Sequence, residues 1–477
     1  MTLNAHEAPR ERPNVLMFIH VGPGGPGGAG GVGGGMAAPG RGAPGGAQAS
    51  GSGEVPSSLR DLAERERRRR RAALRAQQED GQEVGAARGG GGGRGGWEAR
   101  REGRGGAGKG PRRGSRRGSR RGGGFPESLA LMRPDWMAVP PADLSSEWLV
   151  AARPEGRRCV VLARGGRTVA RDSRSGKTVA AFASSLPGGG LLAGGKGQQC
   201  ALDCVLQEAA PGEDAPMAGG QAPELKFWVL DVLFWGDLAM VDCEAEMRVF
   251  WAACKVEEVG SGAEQFRPVV YAPAEGGNIR QAYRGTGVPY VRDGLLFLHR
   301  EGHYFGGGGG KGSLSFPLAL LWKDASCSRF SISTDAQGEV PTFQRVVLRK
   351  LHSDRAPALA GTSDEPAILL ARVPESERDE IPVGALLNYI LAPAEPTGGK
   401  RPRESGEAAG LGEACGQVFG QNVVFQGRAG QGRTEADAFS KVAFQQRLRS
   451  GDPLTIQKLL QVAMQGLPGA HDENNQL

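Results

Sequence analysis

Residues 226–251 read KFWVLDVLFWGDLAMVDCEAEMRVFW, and they decide the fold class. Up to Trp235 the run is apolar, rich in Phe, Trp, Val and Leu, and broken only by Asp231. That length and that branched and aromatic content favour a buried strand over a helix. Gly236-Asp237 signals a tight turn, 238–241 can return as a partner strand, and the acidic residues of 242–246 open a short helix ending near Lys255. A core must surround such a strand, so a packed domain is expected on either side of it.

How far that domain reaches is bounded by composition. The 477 residues include 79 glycines and only 39% hydrophobic residues, so much of the chain lacks the material of a core, and one globular domain with long tails is expected. A formal charge of +7 suits a nucleic acid or an acidic protein surface, although a basic protein without such a partner has the same sum. Seven scattered cysteines form no disulfide framework and suggest a reducing compartment. The apolar run 14–21 is too short to span a bilayer and lacks a convincing cleavage site, so neither a membrane segment nor a signal peptide is expected.

Upstream, residues 1–57 read as a disordered Gly/Pro-rich tail. In SLRDLAERERRRRRAALRAQQEDG, 58–81, Ser58 and Asp61 have capping spacing and the following residues favour a helix over 58–79. This helix has too few apolar residues to dock onto a core, and five consecutive arginines, Arg67, Arg68, Arg69, Arg70 and Arg71, call for an acidic or phosphate partner. A solvated charged helix and an ordinary nuclear-localisation run remain alternatives. Residues 81–124 read as a disordered Arg/Gly linker of the kind that binds RNA backbone with little sequence preference.

Globular composition begins near Phe125. Runs at 147–152, 158–163, 168–172 and 178–182, separated by turn residues, predict an antiparallel meander. Downstream of the central strand, 266–271, PYVRDGLLFLHREGHY (289–304), PLALLWKDASC (317–327), 329–350 and 366–372 extend the domain to 393. The remainder, 394–477, is expected to be mostly disordered, with helices at 434–449 and 452–464.

Several strings carry a family resemblance. PDWMAVPPADLSSEWLV (134–150), FASSLPGGG (182–190), the central segment, DGLLF followed by His-Tyr, and the basic helix are similar in order and type to the snurportin family, import adaptors for trimethylguanosine-capped spliceosomal U snRNPs. The resemblance implies an α+β fold of mostly antiparallel sheets resembling the mRNA-capping-enzyme and nucleotidyltransferase fold. It further implies a cap-binding domain at 125–393, an importin-β-binding helix at 58–80, and shuttling between cytoplasm and nucleus without cofactor or metal. The N-terminus does not resemble the family's, so an export receptor as a further partner is left open.

The same resemblance assigns a cap site. Trp322 stands where the family places its stacking tryptophan, and a tryptophan π-face attracts the positive charge of a methylated guanine. Arg174 stands at the family's phosphate-contacting lysine, Trp136 at a cap-proximal tryptophan for which a structural lid is the alternative, and Arg153 where the family has a small neutral residue. Trp228, Trp235 and Trp251 read as core.

DGLLF and LLWKDA also resemble motifs of guanylyltransferases and ligases. Such an enzyme needs a nucleophilic lysine in Lys-x-Asp-Gly, which occurs nowhere in the chain, so binding is expected rather than catalysis. The rival readings are a guanylyltransferase-like enzyme and a general RGG-type RNA-binding protein. Cys200, Cys204, His299 and His303 lack finger context, and no metal site is expected there.

Overall fold

The computed structural model describes residues 59–89, 131–191, 198–207, 225–259, 265–304, 315–328, 340–352, 357–364, 367–393, 414–418, 421–430 and 433–465. Residues 81–89, expected as the start of the linker, continue the first helix instead, while the Gly/Pro-rich tail, the rest of the linker and Ser58, the expected cap, lie outside the described residues.

A long helix, α1 (Leu59–Gly89), precedes the sheets. Next in chain order come β1 (Arg133–Trp136), α2 (Leu144–Glu147), β2 (Trp148–Pro154), β3 (Arg157–Arg164), β4 (Arg167–Asp172), β5 (Thr178–Phe182), β6 (Gln199–Gln207), β7 (Lys226–Gly236) and β8 (Leu238–Ala239). Helix α3 (Ala245–Glu258), β9 (Phe266–Pro268), β10 (Ala272–Pro273), α4 (Gly276–Arg284), β11 (Arg292–His299) and β12 (Ser315–Trp322) follow. The last part holds β13 (Gln344–Lys350), β14 (Leu359–Gly361), β15 (Leu370–Arg372), β16 (Leu386–Pro393), β17 (Ala414–Val418), β18 (Gln421–Arg428), α5 (Phe439–Arg449) and α6 (Ile456–Gln465).

Among the described residues these strands form three sheets, with all their pairings antiparallel except β1 with β12 and β7 with β9. Their strand orders are β1-β12-β11-β2-β10, β5-β4-β3-β6-β7-β8 with β9 beside β7, and β15-β14-β13-β16-β18-β17. Strand β7 shows why the central run has no alternation. Phe227 and Val229 pack toward α3 with Ala252 and Val256, while Trp228 and Leu230 pack toward the first sheet with Ala151 and Leu296. Both faces are covered, so both parities are apolar. The first sheet is likewise a middle layer: its other face, with Trp148, Val150, Leu295, Phe297, Leu320 and Trp322, builds the largest core against the third sheet and α4, α5 and α6.

Three further expectations are corrected. The meander is confined to β3, β4 and β5, because β2 turns at Pro154-Glu155-Gly156 into the other sheet. The stretch past 393 is not a loose tail over its described residues: β18 pairs with β16, and Phe439, Val442, Leu459 and Ala463 are fully buried. The apolar stripe of α6 therefore faces this chain's own core.

The third correction concerns α1, which does dock. Leu62 is 3% exposed, and Ala73 and Leu74 pack against the core between the first two sheets. Counting apolar residues misses an interface in which Leu62, Ala73 and Leu74 are joined by the Arg69 ion pairs, the Gln77 hydrogen bonds and Arg65 over the Phe439 ring.

Candidate functional site

The first and second sheets are joined at one end by the turn between β2 and β3, where Gly156 has φ 143°. A Cβ there would lie 2.2 Å from the Leu206 carbonyl oxygen of β6, so only glycine lets the chain enter β3 this close to its neighbouring strand. Arg153 lies just before this turn. Strands β11 and β2 are antiparallel, with Arg292 opposite Pro154, and β12 runs antiparallel to β11 with Trp322 opposite Leu295. Topology thus brings Arg153, Asp293 and Lys323 from three adjacent strands to the same end of the sheet.

The three form a buried cluster. Lys323 Nζ donates to Asp293 Oδ1 at 2.6 Å, and the Arg153 guanidinium pairs with the other carboxylate oxygen. Burial pushes the Lys323 ammonium and the Arg153 guanidinium down, with Asp293 working against that in both. Gly294 makes room for the lysine. At φ 107°, beside an irregularity in the β11–β2 register, it sits where a Cβ would come 2.9 Å from Lys323 Cγ and 2.7 Å from the Trp322 carbonyl oxygen. Gly294→Ala should therefore destabilise the fold by about 1–3 kcal/mol and push Lys323 off Asp293. A thermal melt and a nucleotide titration of that variant check both effects.

Further cations extend from this cluster along the seam between the two sheets. Arg158 is bidentate to Asp203, with Nε at 3.0 Å, and also donates to the Met132 carbonyl at 2.6 Å. Arg174 lies in the β4–β5 turn, which is tied down by Asp172 Oδ1 accepting from the backbone N–H groups of Arg174 and Ser175 at 3.1 and 2.7 Å. The Ser173 N–H donates to the Arg158 carbonyl, so this turn stands beside the start of β3. Arg133, which pairs with Glu435, has its guanidinium pushed down first by burial and then by the nearby charges of Arg158 and Arg174. Arg133, Arg153, Arg158, Arg174 and Lys323 are five cations against the four carboxylates of Asp172, Asp203, Asp293 and Glu435, and Arg174 is exposed, so this basic surface can receive an anion.

The three cap-site residues are not brought together. Trp322 has no exposed surface: its ring packs in the core, 5.8 Å from the Tyr283 ring, and its indole N–H donates to the Leu454 carbonyl at 2.8 Å. Its placement as a stacking platform is corrected by strand parity. Residues 320 and 322 point into the large outer core, whereas Ala319 belongs to the core facing the second sheet. Trp136, half-buried, packs against Phe444 at 5.1 Å between ring centroids, on the same outer core as Trp322. Arg174 stands across at the second sheet. Arg133, Arg158, Asp293 and Lys323 escaped the sequence reading because the charges they pair with are distant in sequence; Asp293-Gly294 was their only local trace.

A concavity of about 670 Å³, lined by none of these cations, opens beside β2 between β9 and α4. Trp228 and Tyr290 line it with ring centroids 4.7 Å apart, and the Tyr290 hydroxyl donates to the Ala152 carbonyl at 2.8 Å. Among the described residues no three His, Cys, Asp or Glu side chains are placed to hold a metal ion. Cys200 and Cys204 sit in the core under α3, their thiols pushed up by burial, while His299 packs against Trp148.

Residues 130–311 match the family model described as Snurportin1, m3G cap-binding domain. Over these residues the chain is snurportin-like. The matched stretch carries β1 to β11, with Arg133, Trp136, Arg153, Arg158, Arg174 and Asp293; Trp322 and Lys323 lie beyond it. Among solved structures, the chain is similar to the ligase domain of LigD from M. tuberculosis, at 13% identity over 56% of this chain and 90% of that one, with a TM-score of 0.29. It is also similar to the Chlorella virus DNA ligase-adenylate, at 13% identity over 63% and 99% of the two chains, with a TM-score of 0.25.

Proposed function

We propose that this chain is a nuclear import adaptor that binds trimethylguanosine-capped snRNA at the basic end between its first two sheets and engages importin β through α1. The reading is carried by one coincidence: within the stretch that matches a cap-binding family, Arg158 lies within charge range of Arg153 on one side and of Arg133, itself close to Arg174, on the other. A cap presents a triphosphate, and guanidinium groups recognise phosphate oxygens in bidentate fashion. Exposed Arg174 meets the phosphates. Arg153 and Lys323, sharing one carboxylate, keep a net positive charge behind it.

Catalysis is no part of this reading. Arg153-Pro154-Glu155-Gly156 stands in Lys-x-Asp-Gly spacing with both charged positions exchanged for their longer analogues. A guanidinium stays protonated at neutral pH and cannot attack a phosphorus as an amine does. With labelled GTP and a divalent metal the protein should remain unlabelled.

The binding test is a fluorescence titration with trimethylated cap analogue and with GTP. Arg174→Ala should weaken both ligands about tenfold and flatten the salt dependence, because it removes one phosphate contact and leaves base recognition alone. Unchanged affinities for Arg174→Ala would move the cap elsewhere, with the groove at Trp228 and Tyr290 as the next place to test. Import through importin β should fall when Arg67, Arg68 and Arg71 are replaced by alanine, and the protein should shuttle between cytoplasm and nucleus.

A further inference from the structure

The arginine run of α1 is divided between two surroundings. Arg67, Arg68 and Arg71 point to solvent. Arg69 and Arg70 do not. Arg69 donates to Asp135 at 2.9 Å and to Glu66 at 3.1 Å, and stands 3.8 Å from Asp364, carboxylates that are themselves nearly buried. Arg70, 8% exposed, lies among the charges of Glu66, Asp143 and Asp135.

The docked face is continuous along the helix. Leu62 is buried in the large core, Arg65 lies over the Phe439 ring at 5.6 Å, and Gln77 clamps the far end. Its amide donates to the Glu301 carbonyl at 3.3 Å and accepts from the His303 N–H at 2.8 Å. Positions 62, 65, 66, 69, 70, 73 and 77 recur at helical spacing, so one whole side of α1 belongs to the folded domain.

An acidic partner that wraps the arginine run needs the same side chains. We infer that the domain's acidic cradle, built around Asp135 and Asp364, and an acidic helix-binding partner compete for one face of α1, so that the docked helix is a self-masked recognition element. The partner engages only the undocked fraction, and its apparent affinity is reduced by that fraction. The inference rests on the reading of α1 as a carrier-binding helix, and it adds that the fold holds two of the five arginines back.

The test uses the full chain, with importin β as probe and poly-L-glutamate as a charge-only probe. Hydrogen exchange should show the amides of 62–77 protected in the free chain. Two variants loosen the dock while keeping every arginine: Leu62→Ala with Gln77→Ala on the helix, and Asp135→Asn with Asp364→Asn in the cradle. Both should speed exchange in α1 and tighten binding of the probes by about 5- to 150-fold. Unprotected amides in the free chain would overturn the inference, as would unchanged or weaker binding once exchange has quickened. If importin β binds no variant while poly-L-glutamate follows the expected order, the carrier reading falls and the mask stands.

Discussion

Asp231→Ala should destabilise the domain by about 3–5 kcal/mol, a large share of the roughly 5–15 kcal/mol that holds a typical domain together. Asp231 is 3% exposed and Arg248 has no exposed surface; the carboxylate accepts from Arg248 Nε at 3.0 Å and from Nη2 at 2.9 Å. Arg248 also donates to the Cys243 and Gly302 carbonyls, so it pins α3 and the segment after β11 to β7. Removing the aspartate leaves a guanidinium without its counter-charge in a place water does not reach. The urea midpoint should drop accordingly, and the pair Asp231→Leu with Arg248→Met should recover much of the loss, because no unpaired charge then remains. A midpoint within experimental error of the parent for Asp231→Ala would mean that the pair is not closed as described.

Trp322→Ala should cost a similar amount, about 3–5 kcal/mol, and should do so without touching the ligand preference of whatever protein remains folded. The ring is enclosed by the first sheet, α4 and the segment before α6, and its truncation opens a cavity and leaves the Leu454 carbonyl unpaired. Trp322→Phe separates stability from binding: it retains most of the buried area and loses the hydrogen bond. That variant should melt lower than the parent and bind the cap analogue equally well. A selective loss of cap binding at unchanged melting temperature would restore this residue to the ligand site.

Much of the architecture was legible in residues 226–251, because a strand covered on both faces leaves an unmistakable apolar run, and the single carboxylate in it marks a buried pair. The turn at Gly236-Asp237 and helix α3 followed from local chemistry for the same reason. Trp322 was misjudged because this last residue of β12 and the lysine just after it point to opposite faces, and parity depends on a register that a bulge can shift. The basic cluster was hidden differently: Arg153, Asp293 and Lys323 meet only after three strands have paired. Docking of α1 was illegible because Arg69 looks the same in sequence whether its partner is water or Asp135.

The first strand is held by the last helices. Arg133 pairs with Glu435, the Trp136 N–H donates to Ser440 Oγ at 3.2 Å, Arg447 donates to the Ala138 carbonyl, and Trp322 reaches the carbonyl of Leu454. A ribosome making this chain must therefore release residues well past 450 before the wall behind β1 and β12 can close, and the nascent sheet waits with that face wet. Fragments cut at 311 or at 393 should stay in that waiting state. Such fragments should bind hydrophobic dyes and precipitate, whereas a chain ending just after Gln465 should fold.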